Sequence, residues 1–99
     1  MDIKIQAINF EATEKLQDYV QKRLSKLARF YGEIERVDVS LKVVKPETAM
    51  NKDVSVRLVV PGSDLFSQKV ADTFEEGVDL CAETLTRQLE KHKEKQKNR

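Results

Sequence analysis

Two rhythms of hydrophobic positions take turns along the chain. Ile3, Ile5 and Ala7 alternate with Lys4 and Gln6, the period-two signature of a short half-buried strand. From Thr13 the spacing lengthens: Leu16, Val20, Leu24 and Leu27 fall on one stripe of an amphipathic helix, with Tyr19 and Tyr31 beside it. Thr13 is placed to cap this helix, Glu14 suits its electropositive first turn, and Gly32 is the expected glycine stop.

Period two then returns. Val37, Val39, Leu41 and Val43 alternate with polar partners, as do Val54, Val56, Leu58 and Val60. The polar stretch from Lys45 to Lys52 joins them, and Pro61-Gly62-Ser63-Asp64 is a turn signal. Phe66, Gln68 and Val70 suggest a weaker fourth strand. The middle strands are expected to form an antiparallel hairpin, with the fourth continuing the meander. Thr73 and Glu76 have the spacing of a capping box ahead of Phe74, Val78, Cys81, Leu85 and Leu89, which repeat at helical spacing. Gly77 inside that helix costs about 1 kcal/mol relative to alanine and is read as permitting a close helix–sheet approach. This helix is expected to run to about Lys93, with residues 94–99 a frayed basic tail.

The predicted order is β-α-β-β-β-α, an α+β fold. Alternation on the strands means one wet and one buried sheet face. Two helices with single apolar stripes must both cover that buried face. If the first two strands are parallel neighbours, their crossover is right-handed. The chain has 99 residues, read as a single domain spanning 1–99. A domain of this size buries roughly 60–65% of its extended-chain surface, which argues against a large catalytic cavity.

With 39% hydrophobic and 35% charged residues, the composition is that of a soluble folded chain, not a disordered one. No apolar run approaches the ~18 residues of a membrane span. Met1-Asp2-Ile3-Lys4 does not begin an export signal, and the single cysteine, Cys81, allows no internal disulfide. Both point to a cytoplasmic location. With His92 the only histidine, a Cys/His zinc site is excluded, and no metal, cofactor, small-molecule substrate or membrane partner is expected.

The net charge of +1 conceals a segregation. Glu11, Glu14 and Asp18 surround the start of the first helix, and Lys22, Arg23, Lys26 and Arg29 follow. Asp72, Glu75, Glu76, Asp79 and Glu83 open the second, and Arg87, Lys91, Lys93 and Lys95 close it. Lys22, Lys26 and Arg29 form one helical stripe, and Arg87, Lys91 and Lys95 another. Complementing the helix dipole explains part of this polarity, at about 0.3–1 kcal/mol per charge. It does not explain like charges stacked at i, i+4, which cost a few tenths of a kcal/mol per pair. If the helices run side by side in the same direction, their basic ends meet in a groove suited to phosphate, with Lys26, Arg87 and Lys91 converging. A solvated charged surface is the competing reading.

The aromatic residues Phe10, Phe30, Phe66, Phe74, Tyr19 and Tyr31 are read as core or core-edge, so recognition of nucleic acid would rest on backbone shape and charge. His92, in a basic terminal stretch, lacks a nucleophile to serve. Cys81 continues an apolar stripe and is read as buried and inert. The acids from Asp72 to Glu83 spread around their helix and make a poor metal site. Neither catalytic nor metal-binding residues are expected.

The element order, together with Glu14-Lys15-Leu16-Gln17-Asp18-Tyr19-Val20, Lys22, Lys26 and Leu27, the strand Val39-Ser40-Leu41-Lys42-Val43 and the run Leu85-Thr86-Arg87-Gln88-Leu89-Glu90-Lys91-His92-Lys93-Glu94-Lys95, resembles the ribosome hibernation-promoting factor family, also called ribosome-associated inhibitor or protein Y. The resemblance covers essentially the whole chain and is most specific in the R-Q-L-x-K-x-K run. It implies a fold similar to double-stranded-RNA-binding domains and a non-enzymatic protein. Such a protein would bind the small ribosomal subunit in the channel of messenger and transfer RNA, inhibiting translation by occlusion in stationary phase or stress. It further implies ribosomal-RNA contacts at Lys22, Lys26, Arg29, Arg87, Lys91 and Lys95, flanked by Arg23 and Lys93. Glu75 stands where many members carry Tyr, and Gly77 where Ala is usual. The sequence ends at Arg99, so the dimerisation domain of the family's long members is expected to be absent. The alternatives are a general double-stranded-RNA-binding module and a small protein-interaction adaptor.

Overall fold

The computed structural model describes residues 1–44 and 49–97. Residues 45–48 of the predicted polar connection, and Asn98 and Arg99 of the predicted tail, lie outside the described residues. Strand β1 (Asp2–Ile8) leads into helix α1 (Glu14–Ser25) and a 3-10 segment (Lys26–Arg29). Strands β2 (Arg36–Val43), β3 (Lys52–Val60) and β4 (Ser63–Ala71) follow, and helix α2 (Phe74–Lys97) closes the chain.

The sheet order is β1-β2-β3-β4. The crossover through α1 makes β1 parallel to β2, with Ile5 beside Val39. The two hairpins are antiparallel, pairing Val39 with Val56 and Val56 with Ser67. This register places Val37, Val39, Leu41, Val54, Val56 and Leu58 on one face, where all are buried. Leu16, Val20, Leu24 and Leu27 from the first helical region, and Phe74, Val78, Cys81, Leu85 and Leu89 from α2, join them in one core cluster. Each fully buried aliphatic side chain contributes about 1.5–3 kcal/mol, so it is this shared face that holds the helices to the sheet.

Local chemistry sets the element ends. The Thr13 hydroxyl accepts from the Leu16 N–H at 3.1 Å, and the Thr73 hydroxyl from the Glu76 N–H at 3.1 Å. Between β3 and β4, Pro61 and Gly62 form a two-residue turn in which Gly62, at φ 77°, takes the left-handed position that glycine adopts without strain. A Cβ on Gly77 would stand 2.6 Å from Val54 Cγ2. Glycine there lets α2 approach β3 closely, as the sequence suggested. Small residues on the covered side of β4, the buried Ser67 and Ala71, serve the same approach.

The structure differs from the sequence reading at several points. The first helix does not run unbroken to a glycine stop: it tightens into the 3-10 segment, where the Phe30 and Tyr31 N–H groups both return to the Leu27 carbonyl. Gly32 is not in the left-handed region. The second helix extends beyond Lys93, with its described end at Lys97. Phe66 of β4, read as core or core-edge, also faces the other way. Phe66, at 46% exposed, and Val70, at 40%, lie on the open face of the sheet, because the register with β3 gives the covered face to Leu65, Ser67 and Ala71. Phe30 is likewise exposed, not core.

Candidate nucleic-acid interface

The two helices run in the same direction, and three contacts between their regions fix their register. Phe10, just ahead of α1, stacks on Phe74 with ring centroids 4.6 Å apart. Midway, Tyr19 and Arg23 both reach Asp79. Past the 3-10 segment, Tyr31 meets the edge of His92 at 5.3 Å. Chain number rises together on both sides, so the acidic starts of the helices share one end of the molecule and the basic stretches share the other.

The central contact is the most polar. The Tyr19 hydroxyl donates to the Asp79 carboxylate, 2.7 Å from Oδ1 and 2.8 Å from Oδ2, and Arg23 Nε donates to Oδ1 at 3.0 Å. The bond to the anionic carboxylate pushes the Tyr19 hydroxyl above its usual pKa, with burial adding to the effect. Periodicity gave no sign of this triad, because Asp79 lies 56 and 60 residues from Arg23 and Tyr19 and only helical phase brings them together.

At the basic end, Lys22, Lys26 and Arg29 line one cleft of about 450 Å³ with Gln21 and Ser25. All three cations are exposed. The 3-10 segment matters here. With three residues per turn, Lys26 and Arg29 stand one above the other, where a regular α-helix would have rotated them apart. A second cleft, of about 210 Å³, is lined by Lys91, His92 and Lys95 with Gln88 and by Ser63 and Leu65 from the start of β4. His92 is half-buried there against Tyr31.

The convergence of Lys26, Arg87 and Lys91 in one groove is not what the structure displays. At about 100° per residue, Gln88 stands about 180° around α2 from Asp79. Asp79 faces α1, whereas the Gln88 amide donates to the Phe66 carbonyl of β4 at 3.0 Å. Lys91 and Lys95 lie on the Gln88 side, about 120–160° from Asp79, while exposed Glu83 and Glu90 lie within about 40° of it. The basic residues therefore form two surfaces at one end of the molecule, one on the α1 side and one beside the β3–β4 turn. Arg87 points outward between them, and Lys93 shares the α1-facing side with Glu83 and Glu90; both are exposed. Arg23 is drawn into the interhelix ion pair.

Cys81 is fully buried, its Sγ 3.6 Å from the Val54 carbonyl oxygen and 3.7 Å from that of Ser67, and burial pushes the thiol pKa up. Among the described residues, no helix is long and apolar enough to cross a membrane.

The family model described as sigma 54 modulation protein / S30EA ribosomal protein matches residues 3–97. The chain is 32% identical over 98 residues to a ribosome hibernation promoting factor of Pseudomonas putida, covering 99% of this chain and 92% of the relative. It is 31% identical over 97 residues to the ribosome hibernation promoting factor of Escherichia coli K12, covering 98% of each. The solved structure of a ribosomal subunit interface protein from Coxiella burnetii superposes with a TM-score of 0.83 at 24% identity, over 94% of this chain and 98% of that one, a likeness of fold.

Proposed function

This chain belongs to the sigma 54 modulation protein / S30EA ribosomal protein family of non-enzymatic ribosome-binding proteins, and from that premise we propose that it is a hibernation factor acting on the small ribosomal subunit. The protein occupies the channel where messenger and transfer RNA would sit, in the cytoplasm of starved or stressed cells, and inhibits translation by occlusion. The observation that carries this reading is the gathering of two basic surfaces at one end of an elongated molecule of 50 × 22 × 18 Å. Lys22, Lys26 and Arg29 form one set of phosphate contacts, and Lys91 and Lys95 the other. Arg87 bridges the outward face between them, and Lys93 flanks it. Arg23 is the weakest ligand of the set, because Asp79 already holds its Nε–H.

Occlusion asks only for shape, charge and a rigid frame. Cations spaced around one end suit a curved RNA backbone, which is read by phosphate position more than by base identity. No titrating group is required. His92 supports the frame through Tyr31, and Cys81 is enclosed in the core.

Co-sedimentation with purified ribosomal subunits tests the reading. The protein is expected in the small-subunit fraction at low salt, to be released as salt rises, and to be displaced in competition with messenger and transfer RNA. Equal displacement by any RNA duplex would assign a general double-stranded-RNA-binding module instead. Failure to sediment with either subunit would leave a protein adaptor.

A further inference from the structure

The face of the sheet turned away from the helices has no part in the reading above, yet it is not a plain solvated surface. Strand register brings Gln6 of β1, Ser40 of β2, Ser55 and Arg57 of β3, and Phe66 of β4 to the same side. These residues and Asp38 line a shallow cleft of about 180 Å³. Phe66 is 46% exposed there, and the Arg57 guanidinium, directly opposite in register, lies 5.9 Å from the ring centroid. Among the described residues, the side chains of Gln6, Ser40 and Ser55 make no internal hydrogen bond. The exposed Lys4 and Lys42 stand on the same face toward its β1–β2 side.

We propose that this open sheet face binds an unpaired RNA nucleobase, stacked on Phe66 and Arg57 and hydrogen-bonded at its edge by Gln6, Ser40 and Ser55. An aromatic ring and a guanidinium plane are the two platforms on which proteins stack splayed bases. An amide and two hydroxyls each offer both donors and acceptors, which is what the edge of a base requires. Free donors and acceptors around a single ring favour a base over a protein partner, whose buried anchors would need a larger apolar patch. Lys4 and Lys42 are positioned for the phosphates of a strand crossing the sheet, which favours RNA over a free nucleotide. The protein would then hold RNA phosphate on its helix side and a single base on its sheet side. This site goes beyond ribosome occlusion and does not depend on it.

Titration of ¹⁵N-labelled protein with a six-nucleotide single-stranded RNA, the abasic strand of equal length, and a single nucleotide tests the proposal. The RNA is expected to shift the amides of Ser55, Arg57 and Phe66, and the abasic strand and single nucleotide to leave them in place. Phe66→Ala, at an exposed position, should fold normally and weaken RNA binding about 5- to 150-fold, the range a lost base–aromatic stack produces, while Phe66→Tyr retains binding. Lys22, Lys26 and Arg29 all converted to Glu should keep the sheet-face shifts while binding ribosomes more weakly, which separates this site from the occlusion reading. Shifts confined to the basic clefts, equal sheet shifts with the abasic strand, or affinity unchanged in Phe66→Ala would each overturn it. With sheet shifts absent, the face is left to a protein partner.

Discussion

The Tyr19 hydroxyl lies 2.7 and 2.8 Å from the two carboxylate oxygens of Asp79, joining α1 to α2 halfway along their shared length. Arg23, one turn further along α1, closes on the same carboxylate. This triad holds the register that brings both basic clefts to one end.

The triad has a pH signature. Its hydrogen bond raises the Tyr19 pKa in the folded protein above the ordinary 10.0. A raised folded pKa means the contribution is fully present below the unfolded pKa and is lost as pH climbs through the folded one. Stability should therefore fall in the alkaline range above about pH 10. Tyr19→Phe should cost about 0.5–1.5 kcal/mol at neutral pH and remove part of that alkaline fall. Urea unfolding of both proteins between pH 7 and 11 measures this, and an unchanged alkaline slope would show that Asp79 is not the partner that matters.

Gly77→Ala sets two effects against each other. Helix propensity gains about 1 kcal/mol. The new methyl, however, would sit 2.6 Å from Val54 Cγ2, on a β-branched side chain held in the sheet. Overpacking of this kind costs about 1–3 kcal/mol, so net destabilisation is expected. In a double-mutant cycle, Val54→Ala should cost less in the Gly77→Ala background than alone, by at least about 0.5 kcal/mol. Additive midpoint shifts would mean that the helix moves away instead.

The two basic clefts predict separable losses. Converting Lys22, Lys26 and Arg29 to Glu, or Lys91 and Lys95 to Glu, should each weaken binding to small subunits and flatten its salt dependence. The log–log slope changes by roughly 0.7–0.9 per phosphate contact removed. All five residues are exposed, so stability should stay within about 0.5 kcal/mol per site. Reversing Glu11, Glu14 and Asp18 at the opposite end is the control and should matter far less. If either variant binds like the parent while folded, that cleft is a solvated surface only.

Cys81 should resist thiol reagents in the native state. The side chain is fully buried and burial raises its pKa, so both access and thiolate are scarce at neutral pH. Labelling by Ellman's reagent is expected to follow global opening, accelerating in urea in step with unfolding. Fast native labelling would contradict the packing of α2 on β3 and β4.

His92→Gln bears on the non-enzymatic account. Loss of the edge contact with Tyr31 is expected to cost about 0.5–1.5 kcal/mol of stability and to leave translation inhibition largely intact. In a cell-free translation assay, complete loss of inhibition by a folded variant that still binds RNA would count against occlusion.

Element order, strand faces and helix caps could be read in the sequence because each follows from neighbours a few residues apart. Val39, Leu41, Val56 and Leu58 declare a buried face by alternation, and Thr13 and Thr73 cap helices through N–H groups three residues on. The basic residues were legible as a list and as helical stripes. Which way each stripe points was not, because the core residues fix only the apolar side of a helix. The neighbour on each remaining side comes from elsewhere in the chain: Asp79 turns to α1, and Gln88 to β4. The same holds for Phe66. Pattern alone placed it with the core, yet the pairing of β4 with β3 turns Leu65, Ser67 and Ala71 to the helices and Phe66 to the open face. Local periodicity determined the elements and their buried sides, whereas the partition of the cations into two clefts and the turning of Phe66 to solvent were decided by packing between segments distant in sequence.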